Sequence, residues 1–286
     1  MSAPAPRPPA AQGPVSVVFV HGMRTSSAIW DRQLAHVRSA GHEAVAVDLP
    51  AHGARHAQRF SMDGAFEALD DAVASLASSA PVAVVGLSLG GYTSLAWAAR
   101  RTPHTDRLAG VVVAGCTSDP KGKPVALYRE LARHAVASRQ AAGRAGRLAA
   151  RWGTTALQSA RPPFLAQARR GPGAVMTVGG GADLRALAVA PGQSAETYRP
   201  GWDVVTDALT HLAGRSSVAN LRALEVPVWI VNGARDTMRL EEQRHLAAAR
   251  DAALVVVQGA GHDVNSDAPD AFNRVLTRAL ADFTRR

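Results

Sequence analysis

The sequence predicts an α/β fold: a mostly parallel, doubly wound sheet of about six strands, with helices on both faces and a helical insertion. Three observations predict it. Unbroken apolar runs such as Val15–Val20 and Val226–Val231 suit strands buried on both faces rather than strands with one wet side. Helical stretches separate these runs, and strands alternating with helices specify parallel pairing. The alternation stops after Gly115 and resumes at Trp202, with Ala- and Arg-rich sequence between.

Each element follows from local pattern. Val15–Val20 is a β-branched and aromatic strand, followed by the loop His21-Gly22-Met23-Arg24. Ile29–Ala40 is an amphipathic helix closed by Gly41, and Glu43–Val47 is a second strand ending in Asp48-Leu49-Pro50-Ala51-His52-Gly53. Met62–Ser78 carries apolar residues at helical spacing, with Asp63, Glu67, Asp70 and Asp71 opposite. Pro81–Val85 is a strand and Tyr92–Arg101 a helix free of Pro and Gly. Gly110–Ala114 is the next strand. From Thr117 to about Pro200 no strong strand is evident; Arg161-Pro162-Pro163, Gly171-Pro172-Gly173 and Gly179-Gly180-Gly181 read as interruptions in a helical insertion. Helix Trp202–Leu212, strand Val226–Val231, helix Leu240–Arg250, strand Ala253–Val257 and helix Ala268–Phe283 complete the order. The domain plan is thus a disordered leader over 1–14, a core from 15–116 and 201–286, and the insertion over 117–200.

Composition bounds the function. One cysteine, Cys116, excludes an intrachain disulfide and fits a reducing compartment. The Ala/Pro-rich leader lacks the apolar core of a signal peptide, and no run is long enough to span a membrane. The cytoplasm is the expected location. The formal charge of +9 is uneven: Asp119 to Arg215 holds fourteen basic and six acidic residues. No basic stripe with interleaved aromatics accompanies that surplus, so a nucleic-acid partner is not expected and a solvated basic face is. No cluster has metal-ligand spacing and no loop is built to cradle phosphate, so no cofactor is expected.

The chemistry centres on Gly86-Leu87-Ser88-Leu89-Gly90-Gly91, where a strand turns into a helix within a few residues. Glycines two before and two after Ser88 remove side chains that would collide at so sharp a bend, and the serine hydroxyl would project from its apex. A serine nucleophile needs a base within reach and a carboxylate to orient that base. His262, in Gly259-Ala260-Gly261-His262-Asp263, is the base candidate; Asp236, in Asn232-Gly233-Ala234-Arg235-Asp236, is the acid candidate. The backbone amides of Met23 and Leu89 are the oxyanion-donor candidates, the latter helped by the dipole of its helix. Other candidates carry blander readings. His21, Asp48 and His52 suit loop-holding roles, His56 the surface, and Trp30 helix packing. Cys116 suits a buried thiol, Arg24 an anionic substrate or solvent, and Asp263 a direction away from the base. Asp119 is the alternative acid.

With His21-Gly22-Met23, Asp48 to Gly53, Gly86 to Gly91, Asn232 to Asp236 and Gly261-His262 in this order, the chain resembles the α/β-hydrolase superfamily from Val15 onward, the insertion apart. The resemblance implies a Ser88–Asp236–His262 triad, with Met23 and Leu89 as oxyanion donors. It also implies that the insertion is a helical cap that roofs the site and shapes its pocket. Two features depart from the family pattern. The short, Pro-rich leader is not expected to provide the two further strands that family members often have ahead of the first loop, and Leu87 stands where many relatives have His. The expected function is therefore a serine hydrolase acting on a small-molecule ester or related acyl bond through an acyl-enzyme. The alternatives are transfer or thioester cleavage on an acidic acyl carrier or a coenzyme A ester, peroxide-dependent perhydrolysis, and a ligand receptor of the same fold.

Overall fold

The computed structural model describes residues 13–123, 174–178 and 200–285. Residues 1–12 of the expected leader lie outside that set, as do 124–173 and 179–199 of the expected insertion with its Pro- and Gly-rich interruptions. The strands are β1 (Ser16–Val20), β2 (Ala44–Val47), β3 (Val82–Leu87), β4 (Leu108–Ala114), β5 (Ala174–Val178), β6 (Val228–Gly233) and β7 (Ala252–Val257). They form one sheet in the order β2-β1-β3-β4-β6-β7-β5, parallel throughout. The described helices are α1 (Asp31–Ser39), α2 (Met62–Ser75), α3 (Leu89–Ala98), α4 (Trp202–Leu212), α5 (Ser217–Ala223), α6 (Glu242–Ala248), α7 (Val264–Asp267) and α8 (Pro269–Phe283).

The sheet is buried on both faces because successive strand residues point to opposite sides. Val18 and Val20 of β1, Val84 of β3 and Ile230 of β6 pack in one core with Leu69 of α2, Leu95 of α3 and Leu221 of α5. Val17, Phe19, Val85 and Val231 pack on the other side with Val37 of α1 and Phe272 and Leu276 of α8. Burying one such large side chain contributes roughly 1.5–3 kcal/mol, so both layers hold the sheet. Gly110 of β4 is required here, since a Cβ at that position would collide with the Phe283 ring of α8.

The structure corrects the sequence reading in three places. Ala174–Val178, inside the stretch read as free of strands, is a strand that pairs in parallel with β7. It covers an edge of β7 whose backbone groups would otherwise lack ladder partners. Helix α5, seven residues long, was not expected; it is too short to form alone and is held by the Ser216 hydroxyl, which accepts Ala219 N–H at 3.1 Å, and by burial of Val218 and Leu221. Helix α2 stops at Ser75 rather than Ser78, because the Glu43 carboxylate takes the amides of Ala77 and Ser78 at 2.8 and 3.0 Å. Among the described residues β2 is the other sheet edge, and no described helix is long and apolar enough to cross a membrane.

The chain runs from β1 outward to β2, then back across β1 to β3 and β4, out to β5 at the far edge, and back to β6 and β7. The first reversal leaves a crevice between the carboxyl ends of β1 and β3, the place where open α/β sheets gather ligands and chemistry.

Candidate active site

Ser88 stands at this crevice, between β3 and α3, with φ 51° and ψ −115°. A non-glycine residue at positive φ is strained by about 1–3 kcal/mol and persists only where its surroundings impose it. Here they do: Ser88 N–H donates to the Ala114 carbonyl at 2.7 Å, and the Ser88 carbonyl accepts Tyr92 N–H at 3.0 Å. The flanking glycines are sterically required. A Cβ at Gly86 would lie 2.5 Å from the Gly90 carbonyl oxygen, and one at Gly90 would strike the backbone of Val20. Leu89 opens α3, so its N–H is one of the helix's first amides, which have no partner within the helix.

His262 and Asp236 meet from two different strand ends. Asp236 follows β6 and His262 follows β7, and the two loops are joined by Ala234 N–H to Val257 O and Arg235 N–H to Ala260 O, both 2.9 Å. A Cβ at Gly233 would strike the Gly261 carbonyl, so the loops approach this closely only with glycine there. His262 Nδ1 lies 2.9 Å from Asp236 Oδ2. A carboxylate accepts, so Nδ1 carries the proton and Nε2 is left as the basic nitrogen. The other carboxylate oxygen accepts Met238 N–H at 2.8 Å, which fixes the plane of the group. The Asp236 side chain is 1% exposed and that of His262 12%, so the acid is sealed while the base retains access. Gly115, at φ 59°, lies beneath the imidazole, where a Cβ would come within 3.0 Å of His262 Cε1.

The loop after β1 lies on the opposite side of Ser88. A Cβ at Gly22 would sit 3.5 Å from Ser88 Cβ, so the backbone leading into Met23 runs beside the serine. Two buried histidines hold this loop. His21 Nδ1 lies 2.7 Å from the Gly22 carbonyl oxygen while Nε2 accepts Leu49 N–H at 3.0 Å. Burial and the neighbouring His52 push its pKa down to about 3, and both ring nitrogens are engaged by backbone groups. His52 Nε2 accepts Arg24 N–H at 3.1 Å, and its Nδ1–H donates to the Pro50 carbonyl at 2.8 Å. Asp48 accepts Ser27 N–H at 2.7 Å and Ala54 N–H at 2.9 Å, tying the loops after β1 and β2 together.

The remaining sequence candidates lie elsewhere. Asp119 is wholly buried and turned away from His262; its carboxylate accepts Ser216 Oγ–H and Ser217 N–H, both at 2.9 Å, and faces Arg244 at 3.5 Å. The Ser217 hydroxyl in turn lies 2.9 Å from His245 Nε2. Sequence reasoning missed this second group, because Ser217 and His245 carry no glycine or strand-end signature. The Cys116 thiol touches the position of Gly91, and burial together with the Asp236 charge pushes its pKa well up, which keeps it protonated. Asp263 is the N-cap of α7, where its carbonyl accepts Ser266 N–H at 2.8 Å. Trp30 packs between Phe19 and Phe272, and His56 is exposed. Arg24 directs its Nε–H to the Pro200 carbonyl at 3.0 Å.

Comparison with known proteins agrees with this architecture. The sequence matches the Alpha/beta hydrolase family over residues 17–275. A probable esterase of Oryza sativa subsp. indica is 39% identical over 117 residues, which is 40% of this chain and 43% of that protein, so the match spans less than half of the relative's length. Among solved structures, a carboxylesterase of the thaumarchaeon Nitrososphaera gargenis superposes with a TM-score of 0.63 at 19% identity, covering 95% of this chain and 92% of the other. A bromoperoxidase of Bacillus anthracis superposes with a TM-score of 0.61 at 17% identity, covering 95% and 93%. At such identities the likeness is one of fold. The family match covers nearly the whole described core, and with the strand order and the elbow it supports one conclusion: the chain belongs to the alpha/beta hydrolase family.

Proposed function

We propose that this protein is a serine hydrolase that cleaves a carboxylic ester, or a related acyl bond, of a small-molecule substrate through an acyl-enzyme. The observation that carries the reading is a strained, half-buried Ser88 at the same end of the sheet as a His262 whose Nδ1–H is committed to buried Asp236. In the proposed reaction Ser88 Oγ attacks the carbonyl carbon and its proton passes to His262 Nε2. The amides of Met23 and Leu89 stabilise the oxyanion. Collapse breaks the ester bond, and the leaving alcohol takes the proton from His262. Water, deprotonated by the same nitrogen, then releases the acid and regenerates Ser88. Asp236 holds the imidazole tautomer and stabilises the imidazolium.

The pocket reading rests on the first described helix after the insertion. Val205 and Leu209 of α4 pack with Met238 and Met23, so an apolar surface closes over the oxyanion and acid loops. We take the insertion over 117–200, strand β5 apart, as the cap of this site, and the cytoplasm as the working location of this chain with its single buried cysteine. Ser88→Ala tests the chemistry: p-nitrophenyl ester turnover is expected to fall by about 10³-fold or more, with loss of fluorophosphonate labelling and an unchanged fold. Undiminished turnover by the variant overturns the assignment.

A second reading keeps the triad and replaces water by another acceptor, or takes a thioester on an acidic carrier protein or coenzyme A. The basic surplus between Asp119 and Arg215 favours it. Activity on such acidic substrates would then fall steeply with added salt while that on neutral esters would not.

A further inference from the structure

We infer that His52 is a positioning residue for the loop that carries Met23, and that it acts by holding Arg24 in the left-handed backbone conformation. The inference rests on the serine-hydrolase reading, since the loop matters to chemistry only if it serves an oxyanion.

Arg24 has φ 57° and Ala51 has φ 65°, so two non-glycine residues in the left-handed region lie on either side of a single hydrogen bond. Such residues stay there only where something imposes the conformation. For Arg24 the constraints are visible. Its N–H donates to His52 Nε2 at 3.1 Å and its side-chain Nε–H to the Pro200 carbonyl at 3.0 Å. His52 is fully buried, with its ring 4.9 Å from that of His21 and 6.4 Å from that of Phe60. Because its Nδ1–H is committed to the Pro50 carbonyl at 2.8 Å, the ring cannot turn or change tautomer without unpairing a buried carbonyl. The acceptor nitrogen therefore sits at a defined point in the loop after β2. Gly22, two residues before Arg24, is the residue that lies against Ser88. A rotation of the backbone at Arg24 would move the intervening Met23 amide relative to the serine, and oxyanion donors act only over a narrow range of distance. His52 touches neither Ser88 nor His262 in this arrangement; it acts through Arg24.

The two ring nitrogens can be tested separately. In His52→Gln the terminal amide reaches the position of Nε2 and can accept Arg24 N–H. In His52→Asn the shorter amide reaches the position of Nδ1 and can serve only Pro50. Both leave a gap, and both are expected to lower Tm. Measured on p-nitrophenyl acetate, kcat for H52N is expected to fall by about 10- to 100-fold with KM nearly unchanged, whereas H52Q recovers most of that loss. Equal losses in the two variants, losses that simply follow Tm, or a wild-type kcat in H52N would overturn the inference. A wild-type chain inert to both the ester and fluorophosphonate would instead overturn the serine-hydrolase reading, and this one with it.

Discussion

Among the described residues, the group Ser88, His262 and Asp236 and the group Ser217, His245 and Asp119 differ in almost everything except residue type. At the carboxyl end of the sheet, Asp236 lies against His262 Nδ1 and Ser88 sits on a strained elbow. Between α5 and α6, Asp119 binds Ser217 rather than His245, and His245 Nδ1 turns to the carbonyl of Glu241 at 2.9 Å. Ser217 there is the first residue of an ordinary capped helix. Burial also separates them: Ser217, His245 and Asp119 are 3%, 1% and 0% exposed, so no substrate reaches them. The comparison teaches that, on the proposed reading, backbone strain, access and the order of the hydrogen bonds separate a nucleophile from a structural serine. The inventory of side chains is not enough. The inner group has a different task, since it ties the loop after β4, where the chain leaves the sheet, to the helices that follow its return. Lys123 and Glu241 extend it through a 2.8 Å ion pair, and Glu241 also accepts Asp119 N–H at 2.7 Å.

The sharpest way to break this comparison is to neutralise the two acids. Asp236→Asn is expected to lower kcat by about 10³- to 10⁴-fold with modest loss of stability, because the imidazole loses both its tautomer and its counter-charge. Asp119→Asn is expected to do the reverse: little change in kcat, and about 1–3 kcal/mol less stability in denaturant titration, from buried donors left badly paired. Exchanged effects would overturn the division between the two groups.

Acid titration gives the next effect in size. His21, His52 and His245 all have pKa values lowered by burial, His21 to about 3 from an ordinary 6.5. The unfolded chain therefore binds protons that the folded chain refuses, and stability rises with pH across that window. It is fully present above 6.5 and is lost progressively as pH falls toward the folded value near 3. Burial raises the pKa of Asp48, but the amides of Ser27 and Ala54 and nearby His21 outweigh it and lower the net value, so Asp48 adds loss in the same direction at more acid pH. Thermal unfolding followed from about pH 7 to about pH 4 should show Tm falling throughout, and a flat profile would contradict the neutral assignment of these rings.

The smallest effect is the most diagnostic of the contrast. Ser217→Ala removes the hydroxyl between Asp119 and His245 yet is expected to leave fluorophosphonate labelling and ester turnover within about twofold of wild type, at a cost of about 1 kcal/mol in stability. Loss of labelling in this variant would show that the inner group communicates with Ser88.

Much of the fold was legible because strands such as Val15–Val20 are buried on both faces and so form continuous apolar runs. The turn at Ser88 was legible because only glycine fits two residues before and after it. Strand β5 escaped because Ala174–Val178 is short and its Gly- and Pro-rich flanks read as interruptions, although the same flanks can bound a strand. Helix α5 escaped because seven residues hold their shape only through a cap and a packed face.

By itself, then, the sequence determined the parallel sheet, the strand ends that bear loops, and the identity of Ser88, Asp236 and His262 as the residues to watch. Local pattern and backbone sterics suffice for that. Only the tertiary structure decided that Asp236, and not Asp119, faces His262, since both acids follow strands and only the packing of β6 against β7 brings one to the imidazole. It also decided that His52 meets Arg24 across 28 residues of chain, a bond between two loops that no local rule relates.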